Sequence, residues 1–168
     1  MNHQHHDFLL KAYALKVLPR AGWIRAGIEQ PESVAAHSWG LSLLISLLAP
    51  KNLDLLRMHH MALAHDLPEV ITGDITPHDG ISKAEKKEIE AKAAHSFLPP
   101  HILNAWQEYE ENKTPEAQFV HMLDKLDMAL QAQVYAHQTD TQEFIESATP
   151  HIPQELMSLL KQPKPQNQ

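Results

Sequence analysis

Apolar positions along this chain recur with helical spacing rather than alternation, and turn or cap residues separate the runs. Residues 7–18 set Phe8, Leu9, Ala12 and Leu15 on one face and stop before Pro19. Residues 19–31 are too apolar for a loose linker and too broken for a helix, so they are expected to pack on the core or line a pocket. Ser33 is placed to cap a helix over 34–49, where Val34, Leu41, Leu44, Ile45 and Leu48 form the stripe. Asp54 caps a third helix over 55–67, Pro68 predicts a kink or restart, and Gly73 closes the turn.

After a loop at 74–82, Ser82 caps a helix over 83–97 whose charged first turns predict a solvated face. Pro99-Pro100 opens a helix to about 112, with Ile102, Leu103, Trp106 and Tyr109 as its stripe. Thr114-Pro115 opens the longest helix, 115–138, with Phe119, Val120, Leu123, Leu126, Leu130 and Val134 on its inner side. Short helices near 141–148 and 153–161 follow. The expected fold is all-α: a single-domain bundle of about six to eight helices over residues 1–160, with a disordered tail at 161–168.

Composition narrows the function. The chain has 168 residues, enough for one full core, and no cysteine. That removes disulfides, thiolate metal sites and a Cys nucleophile, and fits a cytoplasmic protein. A net charge of −7 argues against a nucleic-acid polymer as partner, while leaving room for a local phosphate pocket. The longest apolar stretch, 41–50, is too short to span a membrane. Of the 13 histidines, His3, His5 and His6 are expected in a mobile start, and His59, His60, His78, His95, His101, His121 and His137 at the surface or in ordinary packing.

Four other groups share a feature. His37, His65, Asp66 and Asp124 are hard-metal donors on mostly apolar helices. Two imidazoles and two carboxylates suit Mn, Co, Mg, Fe or Zn. A carboxylate on an inner stripe needs a cation or strong hydrogen bonds, and a shared cation satisfies all four groups at once. Each taken singly has an ordinary reading as a packed histidine or a surface carboxylate. Asp127, three residues beyond Asp124, leaves open which of the two faces inward.

In this order, His37, the pair His65-Asp66 and Asp124 resemble the H…HD…D signature of the HD-domain metal-dependent phosphohydrolases. The flanks Pro31–Ser38, His65–Ile75 and Phe119–Asp127 are similar to the 5′-deoxynucleotidase branch of that superfamily, over roughly residues 10–140. The resemblance implies an HD-type helical bundle, usually a homodimer, that hydrolyses deoxynucleoside 5′-monophosphates with a divalent metal ion. It implies His37, His65, Asp66 and Asp124 as metal ligands, and Glu69 as the catalytic group that orients or deprotonates the attacking water. It implies Arg20 at the 5′-phosphate, Trp23 near the sugar, and Asp74 at the sugar edge. In some relatives Glu69, Asp74 and the Ile75 carbonyl help hold a second metal.

The chain departs from the family pattern at Ala36, where an acidic residue often precedes the first metal His, and at Trp39-Gly40, where some relatives have an aromatic-Arg pair. Ala21-Gly22 separates Arg20 from Trp23, which are adjacent in the bacterial enzymes; this leaves the role of Trp23 and deoxy selectivity open. Two rival readings stand beside the first: an HD phosphohydrolase acting on a triphosphate, cyclic nucleotide or alarmone, and a non-catalytic metal- or nucleotide-binding regulatory module.

Overall fold

The computed structural model describes residues 3–160, with side chains from His5 onward. The expected tail at 161–168 lies outside them. The described chain is helical, as predicted, and contains no strand. Helices α1 (His3–Tyr13), α2 (Ala21–Arg25), α3 (Val34–Leu48), α4 (Leu55–Ala64), α5 (Glu69–Thr72), α6 (Lys83–Phe97), α7 (Pro100–Glu111), α8 (Pro115–Tyr135) and α9 (Gln142–Ala148) follow in order. Short 3-10 turns lie at Ala14–Lys16, Thr149–His151 and Met157–Leu160.

The helix starts follow from their caps. Ser33 Oγ accepts from Ala36 N–H, Asp54 Oδ1 from Arg57 N–H and Thr114 Oγ1 from Ala117 N–H. Ser82 and Glu85 form a reciprocal capping box at α6. Gly73, at φ 74°, and Asn112, at φ 49°, end α5 and α7 in the left-handed region. Pro68 caps α5, so the expected restart there is present.

Four expectations change. The chain is helical from His3, so His5 and His6 belong to α1 rather than to a mobile start. Phe8 docks that helix on α6 through Phe97, with ring centroids 5.8 Å apart. The stretch 19–31 contains α2, whose first N–H, at Ala21, donates to Asp74 Oδ2 at 2.8 Å. This cap comes from a residue 53 positions away, which local sequence does not reveal. Val134 is exposed, and Ala129, Ala132 and Tyr135 carry the inner face of α8 instead. Residues 153–161 hold a 3-10 turn, not an α-helix.

The main core lies where α3, α4 and α8 meet, around Leu41, Ile45, Met58, Met61, Leu123 and Leu126, all fully buried. A second cluster joins the 3-10 turn after α1 to α6 and α7 through Leu15, Leu98 and Trp106. A third sets Trp23 and Ile28 on Ala132 and Tyr135. Backbone bonds from Arg20 N–H to the Glu32 carbonyl (3.0 Å) and from Val34 N–H to the Leu18 carbonyl (2.9 Å) clasp the loop around α2.

No described helix is long and apolar enough to cross a membrane. Leu41→Ala is expected to lower unfolding free energy by about 2–5 kcal/mol in a denaturant titration. Leu63→Ala, at a position 60% exposed on α4, is expected to change it by less than about 0.5 kcal/mol.

Candidate active site

His37 sits one turn before Leu41 on the buried stripe of α3 and is 1% exposed. His65 caps the C-terminus of α4, Glu69 opens α5, and Asp124 lies beside Leu123 on α8. All three are buried. Packing of α3, α4 and α8 therefore brings both imidazoles and both predicted carboxylates to one point.

The geometry is close. His37 Nε2 lies 3.3 Å from His65 Nε2 and 3.1 Å from Asp124 Oδ1. Asp66 Oδ2 lies 3.1 Å from His65 Nε2 and 3.8 Å from His37 Nε2. His37, His65 and Asp124 each offer a donor atom within 4.8 Å of the others. Asp66 stands at the edge of this group, where Arg20 Nη1 donates to its Oδ2 at 3.3 Å.

The outer nitrogens fix the rings. The Ala62 carbonyl lies 2.9 Å from His65 Nδ1, and Asp127 Oδ2 lies 2.7 Å from His37 Nδ1. Both partners are acceptors, so each Nδ1 carries hydrogen and each Nε2 turns toward the other. Two such nitrogens flanked by two carboxylates need a proton or a cation between them. The donor set fits a divalent cation, with oxygen and nitrogen ligands and no thiolate.

The electrostatics agree. Burial and Arg20 disfavour the His37 imidazolium, but Asp124 and Asp127 outweigh them and lift its pKa to about 10. Protonation of this centre would therefore compete with binding of a cation. Burial favours the neutral acids of Asp66 and Asp124, yet neighbouring charge holds both below the usual carboxylate range: His65 and Arg20 for Asp66, Lys125 and His37 for Asp124. Glu69 goes the other way. Burial, then Asp66 and Asp74, push it up to about 10. Its Oε2 is buried without a hydrogen-bond partner among the described residues.

A cavity of about 700 Å³ opens over these groups, with Arg20, Glu69, Asp74, Lys86, Tyr109 and Phe144 in its wall. That size suits a small-molecule ligand. Arg20 is tethered by its backbone and aims at Asp66 and, at 3.8 Å, at Asp74 Oδ1. Asp74 also accepts from Ala21, and the Ile75 carbonyl accepts from Lys86 Nζ at 2.7 Å. Of the three groups expected at a second metal, Glu69 has a buried oxygen with no hydrogen-bond partner among the described residues, while Asp74 Oδ2 and the Ile75 carbonyl each accept one bond. Trp23 reaches the cavity wall but is 3% exposed. Its indole N–H donates to Glu32 at 2.9 Å, and its ring packs on Phe144 and Tyr135.

Several cavity residues were not singled out by sequence. Lys86 belongs to the charged run expected to be a solvated face, yet it turns inward to Ile75 and pairs with Glu90 at 3.4 Å. The Tyr109 hydroxyl donates to Asp124 Oδ2 at 3.4 Å, and His121 stacks on Tyr109 with centroids 3.8 Å apart. Tyr109 and His121 sit in ordinary packing patterns, and nothing local marks them.

Helical architecture and a buried His/Asp centre beneath a cavity define a class before any comparison. Residues 12–159 match the HD domain family model, and the chain belongs to that family. It is similar to 5′-deoxynucleotidase HDDC2 of Danio rerio, at 39% identity over 77% of this chain and 68% of that one. It is also similar to 5′-deoxynucleotidase HDDC2 of Dictyostelium discoideum, at 40% identity over 74% and 73%. The crystal structure of the PH0347 protein from Pyrococcus horikoshii OT3 superposes with a TM-score of 0.79 at 33% identity, covering 92% of this chain and 97% of that one. A predicted metal-dependent phosphohydrolase from Magnetospirillum magnetotacticum MS-1 superposes with a TM-score of 0.69 at 27% identity, covering 89% and 84%.

Glu69 gives a pH signature in metal-free protein. Its folded pKa, raised from 4.5 to about 10, makes its stabilisation full below the ordinary carboxyl range and lost as pH rises toward about 10. Glutamine does not ionise. The Tm gain of Glu69→Gln over wild type in chelator is therefore expected to be larger at pH 8 than at pH 5, by roughly 2–4 °C per kcal/mol. Equal gains at both pH values would mean that Glu69 ionises freely.

Proposed function

We propose that this protein is a metal-dependent phosphomonoester hydrolase that converts deoxyribonucleoside 5′-monophosphates to nucleoside and phosphate. The observation that carries the reading is the convergence of His37, His65, Asp66 and Asp124 beside an unpartnered Glu69 and an inward-facing Arg20. The curated relatives, named as 5′-deoxynucleotidases, support the substrate class.

In this reading His37, His65, Asp66 and Asp124 hold one divalent cation. When bound, the cation supplies Lewis-acid stabilisation of phosphoryl charge and acidifies a water. Arg20 takes the 5′-phosphate with its planar fork, and the nearby carboxylates, against the effect of burial, keep it firmly charged. Glu69 Oε2, once ionised, would take the proton of the attacking water and return one to the departing 5′-oxygen; burial, Asp66 and Asp74 hold it as the neutral acid in the metal-free site, and the positive charge of a bound cation would favour the carboxylate. Lys86 adds positive charge to the phosphate side of the cavity. Trp23 closes the inner wall toward the sugar, and Asp74 lies beside Arg20 at the sugar edge.

The implied homodimer has support in exposed Trp39, Leu43 and Leu47, which recur at helical spacing on α3. The cysteine-free sequence is the support for a cytoplasmic setting.

The test is phosphate release from a panel of nucleotides after chelation and reloading with Mn, Co or Mg. Turnover of deoxynucleoside monophosphates is expected, and Asp66→Asn is expected to abolish it. Arg20→Ala is expected to lower kcat/KM by about 10²-fold or more, the scale of losing a charge-stabilising donor. Release from triphosphates or cyclic nucleotides alone would favour the rival phosphohydrolase reading. No release from any monophosphate by metal-loaded protein would sink the proposal.

A further inference from the structure

His37 differs from the other donors in what stands behind it. Its contact with Asp127, at 2.7 Å, is shorter than the contacts its Nε2 makes to His65 and Asp124, at 3.3 and 3.1 Å. Asp127 lies one helical turn after Asp124, so α8 serves both edges of the same imidazole. The Asp127 carboxylate is 13% exposed and the His37 side chain 1%. Glu32 offers an oxygen within 4.8 Å of both groups, but its side chain is already held by the Trp23 indole.

The Asp127 carboxylate lies against the backbone of α3 at Gly40. A Cβ at residue 40 would fall 2.2 Å from Asp127 Oδ1 and 3.2 Å from its Cγ. Glycine is a poor helix former, and this one lies inside a 15-residue helix. Any larger residue drives the carboxylate out of its recess. The clashing atom belongs to the carboxylate end of the Asp127 side chain, so that end would have to shift rather than the backbone, and its bond to His37 is what such a shift puts at stake.

We propose that Asp127 is the positioning residue of the metal centre: it keeps hydrogen on His37 Nδ1 and aims Nε2 at the cation, in a recess that exists because residue 40 is glycine. This deepens the metal-centre reading above and rests on it. A carboxylate behind a ligating histidine fixes ring orientation and raises ligand basicity, and its loss weakens metal binding by about 10–100-fold.

Calorimetric titration with Mn²⁺ measures the first consequence. Asp127→Ala and Gly40→Ala are each expected to weaken binding by about 10–100-fold, while Asp127→Asn, which keeps an acceptor oxygen, recovers part of the loss. The double variant is expected to bind no more weakly than Asp127→Ala alone, because the added methyl then displaces nothing. Proton NMR supplies a readout independent of turnover. A downfield, exchange-protected imidazole N–H, identified by its absence in His37→Gln, is expected in metal-free and Zn²⁺-loaded wild type and lost in Asp127→Ala and Gly40→Ala. Thermal unfolding checks that each variant folds. Affinity within about twofold of wild type in Asp127→Ala overturns the proposal, as does a retained His37 proton or additive losses in the double variant. If wild type binds no cation, the metal-centre reading fails, and the metal-free spectrum alone decides whether Asp127 holds His37.

Discussion

Two imidazole nitrogens 3.3 Å apart, bordered by carboxylates, are the constraint around which this molecule is arranged. Left to itself such a cluster is repulsive, and a buried unpaired carboxylate costs several kcal/mol. It persists because each donor lies on or beside a helix held by core contacts. Leu41 and Ile45 lock α3, Met58 and Met61 lock α4, and Leu123 and Leu126 lock α8. His37 lies one turn from Leu41, and Asp124 directly follows Leu123. The apolar core therefore fixes the donors before any ligand arrives, and donors carried on helices are placed more sharply than donors on loops.

Compensating charge comes from the cavity wall. The chain carries a net −7, yet Arg20, Lys86 and Lys125 all face the carboxylates. Burial works against the Lys86 ammonium, but Glu90 and Glu69 hold its pKa above the ordinary lysine value. In the proposed reading these cations would serve a phosphate, because they are already gathered without one. Arg20 at 3.3 Å from Asp66 and 3.8 Å from Asp74 has no tight bidentate partner, so under that reading a phosphate would meet a guanidinium only loosely engaged.

Much of the fold was legible because its signals are local. Ser33, Asp54, Ser82 and Thr114 cap the helices they were expected to cap, and His37 falls on the stripe defined by Leu41. The donor set was legible as spacing across three helices. The rest depends on partners far apart in sequence. Helix α2 is capped by Asp74, a residue that no local propensity connects to Ala21. Lys86 sits in a run of charges indistinguishable in composition from a solvated face, and only the fold turns it to the Ile75 carbonyl. Asp124 and Asp127 could not be ranked from sequence, and the structure shows why: both face inward, to opposite edges of one ring. Gly40 read as a departure from a family pattern, whereas in space it is the recess for Asp127.

The short segment from His65 to Asp74 shows how one break in a helix can serve several ends. A continuous α4 would carry residues 65–74 along a single axis. Pro68 instead restarts the chain as α5, and Gly73, at φ 74°, turns it back. His65 and Asp66 thereby stay with the donors from α3 and α8, Glu69 reaches the cavity from a new helix start, and Asp74 caps α2 next to Arg20. The group read as phosphate anchor and the groups read as cation ligands are thus tied through ten residues, not merely adjacent. Moving Asp74 would shift the start of α2, and with it Arg20, whose partner Asp66 borders the two imidazoles. The segment works as a mechanical link between the two halves of the site, and its proline and glycine set the angles of that link.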